Sequence, residues 1–190
     1  TIIYLSFFTL FLIAAAPITH ADSIYYHLNS ASHILFTGKF NTEILPFEDK
    51  VAGSGEIIIA LGLSLGLQQF GGLLQYSALL SLMPIFKYNK LKDKNFRYIL
   101  IILFTPITLF LLSSPKPQLM PCMASLIVFS CLFEDFRKNK KNLNILNSIL
   151  LLILLVNFTI KFSFILSSFI LGLILIYENF RLNNLKKLIL

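Results

Sequence analysis

Long apolar runs separated by short polar segments dominate the pattern of this chain. The runs cover about residues 2–16, 56–86, 98–113, 119–133, 145–160 and 162–177. Apolar runs of about 15 or more residues approach the length of membrane-spanning helices. The run 56–86 is long for one span and is interrupted by "QQFGG" at 68–72. This interruption predicts two helices: a short outer-face or re-entrant helix over 56–67 and a membrane crossing over about 70–86. The pattern predicts an all-α fold, a polytopic bundle of about six transmembrane helices.

The composition supports this interpretation. The chain has 190 residues, of which 56% are hydrophobic and 13% are charged, whereas about a quarter of the residues in a soluble domain are charged. The abundance of Ile, Leu, Phe, Asn and Lys is typical of an AT-rich bacterial genome, so we expect the bacterial inner (cytoplasmic) membrane. Residues 1–190 form a single transmembrane domain in this interpretation. Because neither end looks natural, we expect a fragment of a longer chain.

The basic residues indicate a topology. Most of the 16 Lys and Arg residues lie in three blocks between apolar runs: "KYNKLKDKNFR" (87–97), "RKNKK" (137–141) and "RLNNLKK" (181–187). The positive-inside rule places these blocks in the cytoplasm and the loop 17–55 outside. The net charge of +7 therefore reflects topology. It does not predict nucleic-acid binding, and membrane lipid is the expected partner.

All three histidines lie in one outer segment, "PITHADSIYYHLNSASHILFTGKF", from Pro17 to Phe40. At about 100° per residue, one apolar stripe contains Ile24, Leu28, Ala31 and Leu35, and the opposite polar stripe contains Asp22, Tyr26, Asn29 and His33. This spacing predicts an amphipathic helix lying flat in the interface, with its apolar stripe toward lipid or the bundle and its polar stripe toward water. Gly38 is expected to end the helix.

Asp22 and the histidines also have purely structural explanations. Thr19 and Asp22 have the spacing of a capping-box-like helix start, and an acid in the first turn suits the helix dipole. His27 borders the apolar stripe as an interfacial residue, and His33 is explained by solvation alone. The histidines are spaced 7 and 6 residues apart and lie on different faces, so they do not predict a metal site.

The motifs "ADSIYYHL", "ASHIL" and "TGKF", followed by "GSGEIIIALGLSLG", resemble the N-terminal part of polytopic membrane glycosyltransferases of the GT-C type. The resemblance covers roughly residues 17–86. Enzymes of this type transfer a sugar from a polyprenyl-phosphate carrier to an acceptor on the outer face. An acid of the first outer loop usually serves as catalytic base or as a metal-associated acid. The resemblance implies this role for Asp22, with Glu48, Asp49 or Glu56 as alternatives.

Ser23 stands where many members of that type have a second acid. The resemblance implies no particular cofactor and is compatible with a divalent cation.

The resemblance also gives other outer-face residues a role in substrate binding. The acceptor hydroxyl needs a carboxylate to take its proton, and the leaving phosphate needs a nearby cation. The candidate binding residues are Lys116 and Lys161 near span ends, His27 and His33 as further donors, and Tyr26, which with Tyr25 can stack on a sugar. Their structural alternatives are snorkelling lysines, a rigid exposed turn at Lys116 and an aromatic belt. We expect a membrane glycosyltransferase with a lipid-linked sugar donor and an unidentified acceptor; a transporter or a structural membrane subunit is the alternative.

Overall fold

The computed structural model describes residues 2–40, 53–83, 104–133 and 143–181, and every regular element in these ranges is helical. The elements are α1 (Ile2–Ala15), a π-helical turn (Ser23–Leu28) that continues into α2 (Asn29–Thr37), α3 (Ser54–Ser64), α4 (Phe70–Leu80), α5 (Pro106–Leu112), α6 (Leu119–Phe133), α7 (Leu143–Ile160), a 3₁₀ turn (Phe162–Phe164) and α8 (Ile165–Arg181). The predicted all-α class is confirmed for the described residues.

The helices follow the predicted apolar runs. α6 has the predicted bounds. α3 and α4 are separate helices as predicted, but the break covers residues 65–69 and so begins before the predicted interruption at 68–72; within it, Gly66 adopts a left-handed conformation with φ of 74°. The basic blocks 87–97 and 137–141 and residues 182–187 of the third block lie outside the described residues. Within the described ranges, no helix combines the length and the apolar composition that crossing a membrane requires.

Among the described residues the two larger parts of the hydrophobic core share α6, and a third, smaller cluster lies between α2 and α3. The first packs α1, α4 and α5 against the N-terminal half of α6, and the second packs α7 and α8 against its C-terminal half. The first part includes Leu10, Leu79, Leu112 and Met123, and the second includes Val128, Leu150, Leu154 and Leu175. α6 therefore fixes the two parts of the bundle relative to each other.

The outer-segment helix packs part of its predicted apolar stripe against α3. Ala31 is fully buried against Ile59 and Ala60 of α3, and Leu28 packs against the same cluster. Ile24 and Leu35, predicted on the same stripe, are exposed.

The start of this helix is irregular, because Ser23–Leu28 form a π-helical turn. Its i→i+5 hydrogen bonding widens the helix, so the 3.6-residue period does not hold there and the faces before and after the turn are out of phase. Ser23 is buried and His27 half-buried as a result. Gly38 ends the helix as predicted, with φ of 68° and its N–H donating to the Ile34 carbonyl.

Candidate functional site

Three polar segments that the charge pattern assigned to the outer side meet at one end of the bundle. They are the outer segment around residues 20–27, the loop 113–118 between α5 and α6, and the turn at Lys161 between α7 and α8. The His20 Nε2 and Ser113 Oγ atoms are hydrogen bonded at 3.0 Å. The Ser54 hydroxyl donates to Thr159 Oγ1 at 3.3 Å. The start of α3 thus joins the same group of contacts.

Asp22 and Lys116 form an ion pair at this end. The Asp22 Oδ2 atom lies 3.4 Å from Lys116 Nζ, and the exposed fraction is 65% for the Asp22 side chain and 14% for that of Lys116. The Lys116 ammonium also lies 4.8 Å from the centroid of the Phe110 ring, within the range of a cation–π interaction. Asp22 makes no side-chain capping hydrogen bond to the turn that follows it. Capping therefore does not account for Asp22, whose carboxylate contacts the lysine instead.

The backbone of the loop 113–118 is held by Gln75 of α4. The Gln75 side-chain amide donates to the Lys116 carbonyl and accepts from the Met120 N–H at 3.0 Å. Pro115 is fully buried, and the Gln118 N–H donates to the Lys116 carbonyl at 2.7 Å. The loop therefore presents Lys116 from a backbone that is fixed on both sides.

A second pair joins His27 to Glu56, the fourth residue of the "GSGE" motif. The His27 Nδ1 atom lies 3.1 Å from Glu56 Oε1, and the Gly53 N–H donates to Glu56 Oε2 at 2.8 Å. Glu56 is 3% exposed, so a buried carboxylate has both of its oxygens engaged. Glu56 lies three residues after the N-cap residue Gly53, which is the spacing of a capping box. This spacing is the signal in the sequence that the buried Glu56 side chain has a structural role at the start of α3.

Lys161 supplies a second positive charge. It follows the last residue of α7 in an extended conformation, with φ of −151°, and is half-buried. Burial lowers the pKa of Lys161; the Glu56 carboxylate raises this pKa, and the Lys116 ammonium lowers it further. In the part of the chain that the structure describes, the Lys161 ammonium has no ion-pair partner.

Gly55 allows the two lysine-bearing loops to approach each other. A Cβ atom at this position would lie 2.5 Å from Pro117 Cβ and 3.1 Å from the Ile160 carbonyl oxygen. Pro117 follows Lys116 and Ile160 precedes Lys161, so the backbones next to both lysines converge on one glycine. Any side chain here would push the loops apart.

The structure therefore brings together five of the residues predicted from sequence: Asp22, His27, Lys116 and Lys161, together with Glu56, one of the alternative acids. Tyr26 is half-buried beside them in the chain, and its ring meets the ring of the exposed Tyr25 edge-on with centroids 5.7 Å apart.

Two other groups of predicted residues do not join the site. Among the described residues, the His33 ring makes no hydrogen bond or ion pair with the cluster. Glu48 and Asp49 lie outside the described residues.

The described residues contain no group of three or more His, Cys, Asp or Glu side chains that could hold a metal ion. The Glu56 carboxylate is occupied by His27 and Gly53. The two lysines are the groups of the cluster available to an anionic ligand.

Fold and site together define an all-helical protein with a cluster of paired charges at one end of its bundle. The chain belongs to the family described as the DUF1420 N-terminal domain, whose model matches residues 1–188. No curated protein and no solved structure matches the chain.

Proposed function

We propose that this protein is a polytopic membrane glycosyltransferase of the GT-C type, which transfers a sugar from a polyprenyl-phosphate carrier to an acceptor on the outer face of the membrane. One observation carries the proposal. The exposed Asp22 carboxylate pairs with Lys116, and Lys161 approaches this lysine closely enough for the two charges to interact. The reaction needs a proton acceptor for the hydroxyl group and positive charge beside the leaving phosphate.

Exposed apolar surface supports the membrane part of the proposal. Large apolar side chains on three helices are exposed, among them Tyr4, Leu5, Phe8 and Leu12 of α1, Leu152, Leu155 and Val156 of α7, and Leu166, Phe169 and Leu173 of α8. Extended apolar patches of this kind are rare on soluble monomers. Lipid acyl chains would cover these apolar side chains without removing water from polar groups.

A groove between α7 and α8 supports the lipid-linked donor. It has a volume of about 340 Å³, and Ser168 is the one polar side chain among its described lining residues. Phe158 and Ile165, which line the groove, flank the turn that carries Lys161. A carrier with its phosphate at Lys161 can therefore place the first part of its prenyl chain against an apolar surface.

In the proposed reaction the acceptor hydroxyl oxygen forms a bond to the anomeric carbon of the sugar, and the bond from this carbon to the phosphate oxygen breaks. The Asp22 carboxylate takes the hydroxyl proton. The phosphate leaves with the bonding electron pair, and Lys116 and Lys161 stabilise its charge. We assign Tyr26 and His27, which follow Asp22 on the same segment, to binding of the sugar.

The test is transfer of labelled sugar from a short prenyl phosphate by the full chain in proteoliposomes, with bacterial membrane extract as acceptor. We expect Asp22→Asn to reduce transfer by about 100-fold or more. Lys39→Met, which removes an exposed charge of the same outer segment, should leave transfer unchanged. Full transfer by Asp22→Asn would remove Asp22 from the mechanism. Absence of transfer by the unaltered chain from every prenyl-linked sugar supplied would favour a non-enzymatic membrane protein, a transporter or a structural subunit.

A further inference from the structure

We propose that Asp22 and a phosphate group compete for Lys116, so that phosphate bound between Lys116 and Lys161 releases the Asp22 carboxylate to accept a proton. The inference rests on the proposed function and adds to it a switch between a resting and an active site. In the resting site, which the structure shows, Lys116 is paired with Asp22.

The first argument is that two cations are held close together. The loops that carry Lys116 and Lys161 converge on Gly55, with Pro117 and the Ile160 carbonyl both in its contact range. Two ammonium groups in this position repel each other, and the downward effect of Lys116 on the pKa of Lys161 is the expected sign of that repulsion. An anion bound between the two ammonium groups would attract both of them and offset their repulsion.

The second argument concerns the two carboxylates of the cluster, which differ in how firmly they are held. Glu56 is buried and uses both oxygens, one with His27 and one with the Gly53 N–H. Asp22 is mostly exposed, and among the described residues its carboxylate has one polar contact, at 3.4 Å, longer than the ~2.7–2.9 Å of a strong charge-assisted hydrogen bond. An exposed ion pair contributes only about 0–1 kcal/mol. Asp22 is therefore the exchangeable partner, and Glu56 is not.

The third argument is the effect on chemistry. In the resting site the Oδ2 atom of Asp22 is engaged by the Lys116 ammonium, so this oxygen is not free to accept the hydroxyl proton. The phosphate of the donor joins the sugar to the prenyl chain as a diester, so it carries one negative charge and two non-bridging acceptor oxygens, and these can draw Lys116 away from Asp22. The Asp22 carboxylate is then released from Lys116 only when the donor is bound, which couples the base to the substrate.

The experiment is calorimetric titration of the detergent-purified full chain in two arms, one with inorganic phosphate and one with farnesyl phosphate. Because Asn cannot compete for Lys116, we expect Asp22→Asn to bind phosphate about fivefold more tightly than the unaltered chain. Lys161→Met and Lys116→Met should each bind at least about tenfold more weakly. Tighter binding of farnesyl phosphate assigns a lipid-linked phosphate to the site, and equal binding in the two arms assigns free phosphate.

The control for net charge is Glu178→Gln. It makes the same change in charge near the far end of α8, about 20 Å from the start of that helix, and we expect no change in phosphate affinity. Unchanged or weaker binding by Asp22→Asn would overturn the proposal, as would an equal gain in Glu178→Gln.

The two proposals fail separately. If Asp22→Asn loses transfer but binds phosphate like the unaltered chain, the competition is wrong and the base assignment stands. If it binds phosphate more tightly but keeps full transfer, the competition for Lys116 stands and Asp22 is not the base.

Discussion

Glu56 Oε1 lies 3.1 Å from His27 Nδ1, and this contact joins two segments whose residues are 29 positions apart in the chain. The same carboxylate accepts from the Gly53 N–H and raises the pKa of Lys161. One buried acid thus ties the outer segment to the start of α3 and supports the charge of the nearby lysine. Its role is to position other groups, since both of its oxygens already have partners.

Replacing Glu56 with Gln tests this role. The amide keeps an oxygen for the Gly53 N–H but loses the negative charge, so we expect unfolding to become easier by about 1–3 kcal/mol and the pKa of Lys161 to fall further. Thermal unfolding in detergent measures the first effect, and NMR of ¹⁵N-labelled lysine ammonium groups as a function of pH measures the second. The Lys39 signal is the internal control. An unchanged Lys161 pKa in Glu56→Gln would show that the charge of Glu56 does not reach it.

Replacing Gly55 with Ala should separate the two lysine loops. The added Cβ would lie 2.5 Å from Pro117 Cβ, and overpacking of this kind costs about 1–3 kcal/mol. We expect a lower unfolding temperature together with weaker phosphate binding. Gly172→Ala is the matched control, because there the nearest described atom, Leu154 Cδ1, would lie 3.9 Å from the new Cβ. Equal unfolding temperatures for the two variants would contradict the close approach at Gly55.

Replacing Lys161 with Met should stabilise the fold while it weakens phosphate binding. Burial lowers the pKa of Lys161, so the folded chain holds this proton less tightly than the unfolded chain does. The charge therefore opposes folding below the folded-state pKa, and the opposition is relieved as pH rises through that pKa.

The gain in unfolding temperature from Lys161→Met should accordingly be a few degrees at neutral pH and shrink toward alkaline pH. Unfolding scans at several pH values measure it, with Lys39→Met, which removes an exposed lysine, as the control. A loss of stability at neutral pH would show that the Lys161 charge helps to hold the fold.

A tryptophan probe tests whether the exposed apolar surface meets lipid, since the chain contains no Trp. Phe169 is 62% exposed and Phe7 is 7% exposed. In vesicles of lipids with brominated acyl chains, we expect the emission of Phe169→Trp to be strongly quenched and that of Phe7→Trp to be quenched little. Both should emit at short wavelength, one from lipid and the other from the protein core. Long-wavelength, unquenched emission from Phe169→Trp would place this face of α8 in water and contradict the membrane proposal.

The apolar runs of the sequence predicted the helices of the described residues. The bounds of α6 and the end of α2 at Gly38 follow from local signals, an apolar run and a residue that tolerates positive φ. The π-helical turn over Ser23–Leu28 was not predicted, because an apolar pattern of constant period does not show a change of helix type. A change of helix type depends on packing against α3, which no local pattern records.

The sequence by itself determined the all-helical class, the positions of the helices and the set of polar residues from which a site can be built. The tertiary structure alone decided how these residues pair: Asp22 with Lys116, 94 positions away, and His27 with Glu56. The physical reason is that these pairs depend on the approach of loops from different helices, set by core packing around α6 and by the absence of a side chain at Gly55. The spacing of residues along a helix shows which of them share a face of that helix. It does not show which residues of other helices they contact, because these contacts form only when the helices pack together.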